Sequence, residues 1–158
     1  MSETVELARR LGLLRTRKIA GGSKEDVRSS SKTETQKTFR FLTVIDFEST
    51  CWEDKTAAAS AEIIEFPAIL LDTKTGDILG EFHQYVLPTE NPKLSEFCTN
   101  LTGIEQKTVD EKGVPIRTCL YLFKDWIDKL RVKHEFVIND IKEGFHSMTF
   151  VTWQVPFL

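Results

Sequence analysis

Phe41-Leu42-Thr43-Val44-Ile45-Asp46-Phe47-Glu48-Ser49-Thr50-Cys51-Trp52 is the stretch whose reading decides the fold. Up to Ile45 it is a near-continuous apolar run rich in β-branched and aromatic residues, the pattern of a strand buried on both faces. Asp46 and Glu48 follow. Side chains alternate along a strand, so residues two apart share a face and both carboxylates point the same way. Two like charges at the end of a hydrophobic strand are unfavourable unless water or a cation compensates them. The pair reads either as hard oxygen ligands suited to Mg²⁺ or Mn²⁺ or as a strand end with both carboxylates solvated.

Downstream, Ala61 to Leu71 reads as a second strand. Pro67 inside it cannot donate to a ladder, which predicts an edge position or an interruption there. Asp72 to Asp77 is a turn, with Gly76 where a positive φ is needed. Ile78 to Leu87 reads as a third strand ended by Pro88, and the short connection predicts an antiparallel meander. Helical spacing then takes over: Leu94, Phe97, Cys98 and Leu101 share one face. Thr102 with Glu105 has the form of a capping box for a further short helix, stopped by Gly113. Ile116, Cys119, Leu120, Phe123, Trp126, Ile127 and Leu130 form an amphipathic stripe that predicts core packing. Phe136 to Ile138 and Thr149 to Trp153 are further strand candidates. Strands, then helices, then strands is an α/β or α+β order.

The 158 residues leave room for about one domain, and 41% hydrophobic with 28% charged residues is a globular composition. No apolar run approaches the roughly 18 residues that a spanning helix needs, and Met1 to Leu14 has no apolar core of a secretory signal. Three cysteines without a C-x-x-C pair argue against a disulfide scaffold or a zinc knuckle. These features predict an intracellular protein, cytoplasmic or nuclear, with no membrane and no disulfide partner. Residues 1–38 carry nine Lys/Arg against five Asp/Glu, whereas the remaining 120 carry 12 against 19. The leader also lacks aromatic residues, so it reads as a basic mobile segment before a body over 39–158. Val5 to Ile19 has the pattern of a short basic helix. The leader reads as a phosphate-seeking arm, as a solvated tail or, against its early acidic residues, as a presequence.

Val44 to Trp52 resembles the first motif of the DEDDh 3'–5' exonucleases, and more narrowly of the ERI-type exoribonuclease family. Glu62 to Pro67, Gln84-Tyr85-Val86 with Pro88, and Leu94 to Cys98 leading into Leu101-Thr102-Gly103-Ile104 resemble the segments that follow in that family, as does Ala8 to Leu13 in the leader. The resemblance implies an α/β, ribonuclease H-like mixed sheet flanked by helices. It implies hydrolysis of single-stranded RNA, or sometimes DNA, from the 3' end to nucleoside 5'-monophosphates, with two Mg²⁺ or Mn²⁺ ions. By carry-over, Asp46 and Glu48 are the catalytic metal ligands, and Glu48, Ser49 and Thr50 lie against the terminal nucleotide. Leu101, Thr102, Gly103 and Ile104 sit against its sugar and base. Without the family, those four read as a helix connection packed by Leu101 and Ile104.

The pattern then breaks. The second motif's aspartate is expected just after Trp153, where the chain reads Gln154-Val155-Pro156-Phe157-Leu158. The third motif pairs a histidine with an aspartate five positions on, but the residues five beyond His83, His134 and His146 are Pro88, Asn139 and Val151. The break predicts the N-terminal part of an exonuclease domain, truncated and incomplete on its C-terminal side, with Val44, Ile45, Phe123 and Trp126 short of cover. It predicts little or no turnover by this chain alone; the alternative is a non-catalytic RNA-binding or regulatory form.

Overall fold

A computed structural model describes residues 39–54, 61–140 and 142–152. The expected leader over 1–38, its short helix and the run from Trp153 to Leu158 lie outside the described residues. Strands β1 (Phe41–Ile45), β2 (Glu48–Ser49), β3 (Ile63–Asp72) and β4 (Ile78–Leu87) come first, then helices α1 (Glu96–Thr102) and α2 (Gln106–Lys112). Strand β5 (Val114–Pro115), helix α3 (Ile116–His134) and strands β6 (Phe136–Ile138) and β7 (His146–Thr152) complete the order. They form one mixed sheet in the order β5-β4-β3-β1-β7-β6, with β2 paired to β3. The expected meander is present: β1 and β4 both run antiparallel to β3. β7 lies parallel to β1, from Phe41 opposite Met148 to Ile45 opposite Thr152.

β1 corrects the expectation of burial on both faces. Phe41, Thr43 and Ile45 are buried, whereas Leu42 and Val44 are half-buried. The reason lies in the helix that packs on the first face. Phe123 of α3 meets Phe66 of β3 at 4.6 Å between ring centres, Phe82 of β4 at 5.3 Å and Phe150 of β7 at 6.2 Å. The stripe on α3 is therefore core packing, with Cys119, Leu120, Phe123, Ile127 and Leu130 buried. Ile45 and Phe123 do not lack cover, at 6% and 2% exposure. The face carrying Leu42, Val44, Ile69 and Leu71 is only half-buried.

The capping box also needs correction. Thr102 is the last residue of α1, and its hydroxyl donates to the Cys98 carbonyl and accepts from the Ile104 N–H. Glu105 precedes α2 without a side-chain cap, and Gly113 ends that helix as expected. The side-chain cap falls elsewhere: Ser95 accepts the Cys98 N–H at 2.9 Å and starts α1. Ile64, Cys98, Ile104 and Val109 form a smaller core beneath these two helices, with Cys51, Tyr85, Leu87 and Leu94 packed against it.

Candidate functional site

Pro67 shapes the site through what it lacks. β1 pairs with Ala68 to Asp72, and β2 pairs with Glu65 and Ile63. The register carries straight across the gap, since Ile45 faces Ala68 and Glu48 faces Glu65. Asp46 and Phe47 thus stand opposite Pro67 and Phe66, in the stretch where the ladder is open and a residue without an N–H costs no pairing. The expectation of an edge position or an interruption at Pro67 is corrected: β3 is a central strand and runs unbroken through it, and the gap lies in the facing strand, between β1 and β2.

Alternation survives the break. Phe47 turns to the helix-covered face and meets Phe66 edge-on at 4.6 Å. Asp46 and Glu48 take the opposite face, Asp46 exposed and Glu48 half-buried. The Glu48 carboxyl sits above the usual carboxylate range, first through burial, then through the negative charges of Asp46 and Glu65. Such a site favours a proton or a cation over a bare second anion.

A second acidic group joins this face that sequence reasoning passed over. Glu65, the cross-strand partner of Glu48, is paired with His83 Nε2 at 2.5 Å. The Tyr85 hydroxyl is raised above its ordinary range by burial and then by the Glu65 charge and hydrogen bond. The available signal was the carboxylate at an alternating position of an otherwise apolar strand.

Ser49 and Thr50 continue from Glu48 into the body. The Ser49 carbonyl accepts from the Cys98 thiol at 3.6 Å. Thr50 is 1% exposed and anchors the motif: its N–H donates to the Glu62 carbonyl at 2.8 Å, and its hydroxyl accepts the Glu62 N–H at 2.9 Å. The Ser95 hydroxyl donates to the Cys51 carbonyl at 2.6 Å while capping α1. These contacts bring two distant segments together, the carboxylate strand and the helix that ends in Leu101-Thr102-Gly103.

Within that second segment the residues divide. Leu101 is 67% exposed, whereas Ile104 is buried in the smaller core. Gly103 adopts φ 73°, the left-handed conformation that ends α1, and its N–H returns to the Thr99 carbonyl. A Cβ there would meet open space, so backbone conformation rather than crowding accounts for the glycine.

As oxygen donors, Asp46 and Glu48 suit Mg²⁺ or Mn²⁺. They fit as part of a ligand set: among the described residues no three His, Cys, Asp or Glu side chains converge to enclose a metal. Also among these residues, no helix is long and apolar enough to cross a membrane.

The profile of the Exonuclease (RNase_T) family matches residues 43–155. ERI1 exoribonuclease 2 of Homo sapiens is 49% identical over 155 residues, covering 95% of this chain and 22% of the relative. The 3'-5' exonuclease Snipper of Drosophila melanogaster is 44% identical over 127 residues, covering 78% of this chain and 45% of its own length. The chain spans about a fifth of the length of the ERI1 exoribonuclease 2 proteins that it matches. Among solved structures, the nuclease domain of 3'hExo, a DEDDh family member bound to rAMP, superposes with a TM-score of 0.56 at 34% identity, covering 73% of this chain and 52% of that one. A structure of 3'-end recognition of the histone mRNA stem-loop by 3'-exonuclease gives 0.56 at 35% identity, covering 72% and 46%. With its mixed sheet, its paired carboxylates at the open ladder and a profile match over most of its length, the chain belongs to the Exonuclease (RNase_T) family, among relatives of the DEDDh 3'–5' type.

Proposed function

We propose that this chain carries one part of a divalent-metal-dependent 3'–5' exonuclease site that trims single-stranded RNA to nucleoside 5'-monophosphates. The observation that carries the reading is the pair Asp46 and Glu48 on one sheet face, at the open ladder, with a Glu48 carboxyl that burial and then its acidic neighbours hold above the usual range. The rAMP and histone mRNA stem-loop named for the solved relatives support RNA as the substrate class. Divalent ions at such a site supply Lewis-acid activation of water and neutralise the charge on the scissile phosphate. The chain's own residues do the rest of the work expected here. Asp46 and Glu48 give the hard anionic oxygens. The exposed Leu101 offers apolar contact to the terminal base, and the turn at Gly103 presents backbone close to it. Thr50 and Ile104, buried behind these groups, hold the two segments in place.

Little turnover is expected of this chain by itself, since among the described residues no three His, Cys, Asp or Glu side chains come together to hold a metal. Two measurements test the reading together. The chain and an Asp46→Ala variant are incubated with 5'-labelled single-stranded RNA and Mn²⁺, and Mn²⁺ binding is followed by electron paramagnetic resonance. The expected result is Mn²⁺ binding that Asp46→Ala weakens, with no Asp46-dependent ladder. Equal Mn²⁺ binding by both proteins would remove the metal-site reading. A 3'-end ladder abolished by Asp46→Ala would show a complete site and overturn the expectation of low turnover.

A further inference from the structure

Two cysteines meet behind the carboxylate strand. Cys51 lies three residues beyond Glu48 and is half-buried; Cys98, in the middle of α1, is fully buried. Cys51 packs against the small core that contains Cys98. The backbones on either side are already tied. Ser95 Oγ reaches the Cys51 carbonyl at 2.6 Å, and the Cys98 thiol reaches the Ser49 carbonyl at 3.6 Å.

We infer that Cys51 and Cys98 are an oxidant-closable dithiol that locks α1, with its Leu101-to-Gly103 end, onto the carboxylate strand. The co-reactant is a hydroperoxide. Cys51, the more accessible sulfur, attacks one peroxide oxygen and becomes a sulfenic acid, with release of water when the oxidant is hydrogen peroxide. The Cys98 sulfur then displaces that hydroxyl as a second water and forms the S–S bond. Two thiols lose two electrons and one peroxide gains them. Burial, then the Cys98 thiol and the Glu48 charge, push the Cys51 thiol up to about 12. Cys51 therefore rests as a thiol near neutral pH, and closure is slow. The inference stands apart from the nuclease reading, since it concerns only these two side chains and the segments that carry them.

The test treats the full chain with hydrogen peroxide, blocks remaining thiols with iodoacetamide after unfolding, and maps peptides without reduction. A single linkage between the Cys51 and Cys98 peptides is expected, retained in Cys119→Ser and absent in Cys51→Ser. Cys119 is buried in the α3 stripe and serves as the internal control. The closed form is expected to melt roughly 5 °C or more above the reduced form, because the bond constrains the loop over residues 52–97. It is also expected to show slower amide exchange over 95–103, with both changes reversed by dithiothreitol. Three alkylated thiols, a linkage that includes Cys119, or Cys51 carried to sulfinic acid beside a free Cys98 would each overturn the inference. The map on the unsubstituted chain decides the matter even where Cys51→Ser does not fold.

Discussion

Glu62 offers the sharpest stability test, because one carboxylate organises a whole loop. Oε1 accepts the Thr89 N–H at 2.7 Å and the Thr89 hydroxyl at 3.0 Å, and Oε2 accepts the N–H groups of Glu90 and Asn91 at 2.9 Å each. Hydrogen bonds to a charged group are worth about 1.5–3 kcal/mol each in protected surroundings. Thr89 and Glu90 are exposed, so water replaces much of what Glu62→Ala removes. A total loss of about 2 kcal/mol is the reasoned value, or a fall in Tm of roughly 4–8 °C. Glu62→Gln isolates the charge, because it presents a donor where the loop also donates. Partial burial works to raise the Glu62 carboxyl, but the bonds from Thr89, Asn91 and Glu90 outweigh it and hold it below its ordinary 4.5. A carboxyl lowered on folding contributes stability that is full above its unfolded pKa and fades as pH falls through the folded value. The gap between the natural chain and Glu62→Gln should therefore be widest at neutral pH and shrink well below pH 4.5. Urea denaturation at both pH values measures it. A gap of unchanged size in acid would refute the idea that the loop is organised by an anion.

Other substitutions probe different contacts. Gly113→Ala would place a Cβ 2.4 Å from the Val109 carbonyl oxygen and 3.0 Å from Leu87, and is expected to cost about 1–3 kcal/mol in chemical denaturation. Ser95→Ala removes the α1 cap and the bond to Cys51, with an expected loss of about 1–2 kcal/mol and faster amide exchange at Cys98. Burial works to raise the Asp72 carboxyl, but the Lys74 N–H, Arg40 and the Thr75 N–H outweigh it and hold it below 3.8. Asp72→Asn should therefore lower stability at neutral pH and narrow the difference as pH falls below that value, as read by thermal melts across pH. Phe123→Ala, which empties the junction of Phe66, Phe82 and Phe150, is expected to cost about 3–5 kcal/mol and to reduce unfolding cooperativity.

What the sequence made legible was whatever local periodicity encodes. The extents of β4 and β6 follow from local composition and, for β4, from the turn before it and Pro88 after it, and the buried stripe of α3 follows from its 3.6-residue spacing, because these are properties of the segment itself. Partnership across the sheet has no such signature. Nothing in His146 to Thr152 announces that it runs parallel to β1, and nothing in Glu65 announces that it stands opposite Glu48. The Thr102–Glu105 box failed for the same reason. A side chain satisfies whichever partner the surrounding fold brings nearest, and Thr102 found Cys98 and Ile104 first.

Pro67 joins the two levels. Read alone, it is a residue that cannot donate to a ladder, and the natural inference is that its own strand must suffer. Instead β3 keeps its full length, and the consequence appears across the sheet, where β1 stops at Ile45 and β2 resumes at Glu48. At the gap Asp46 is exposed, while Ile45 before it and Thr50 after it remain buried. An unbroken ladder there would favour a residue that packs; an opened one tolerates a carboxylate that must face water or a cation. On this argument Pro67 and Asp46 form one feature. Pro67→Val, which restores the donor, should shift stability little while reducing Mn²⁺ affinity at Asp46. A variant whose Mn²⁺ binding equals that of the natural chain would separate the proline from the site.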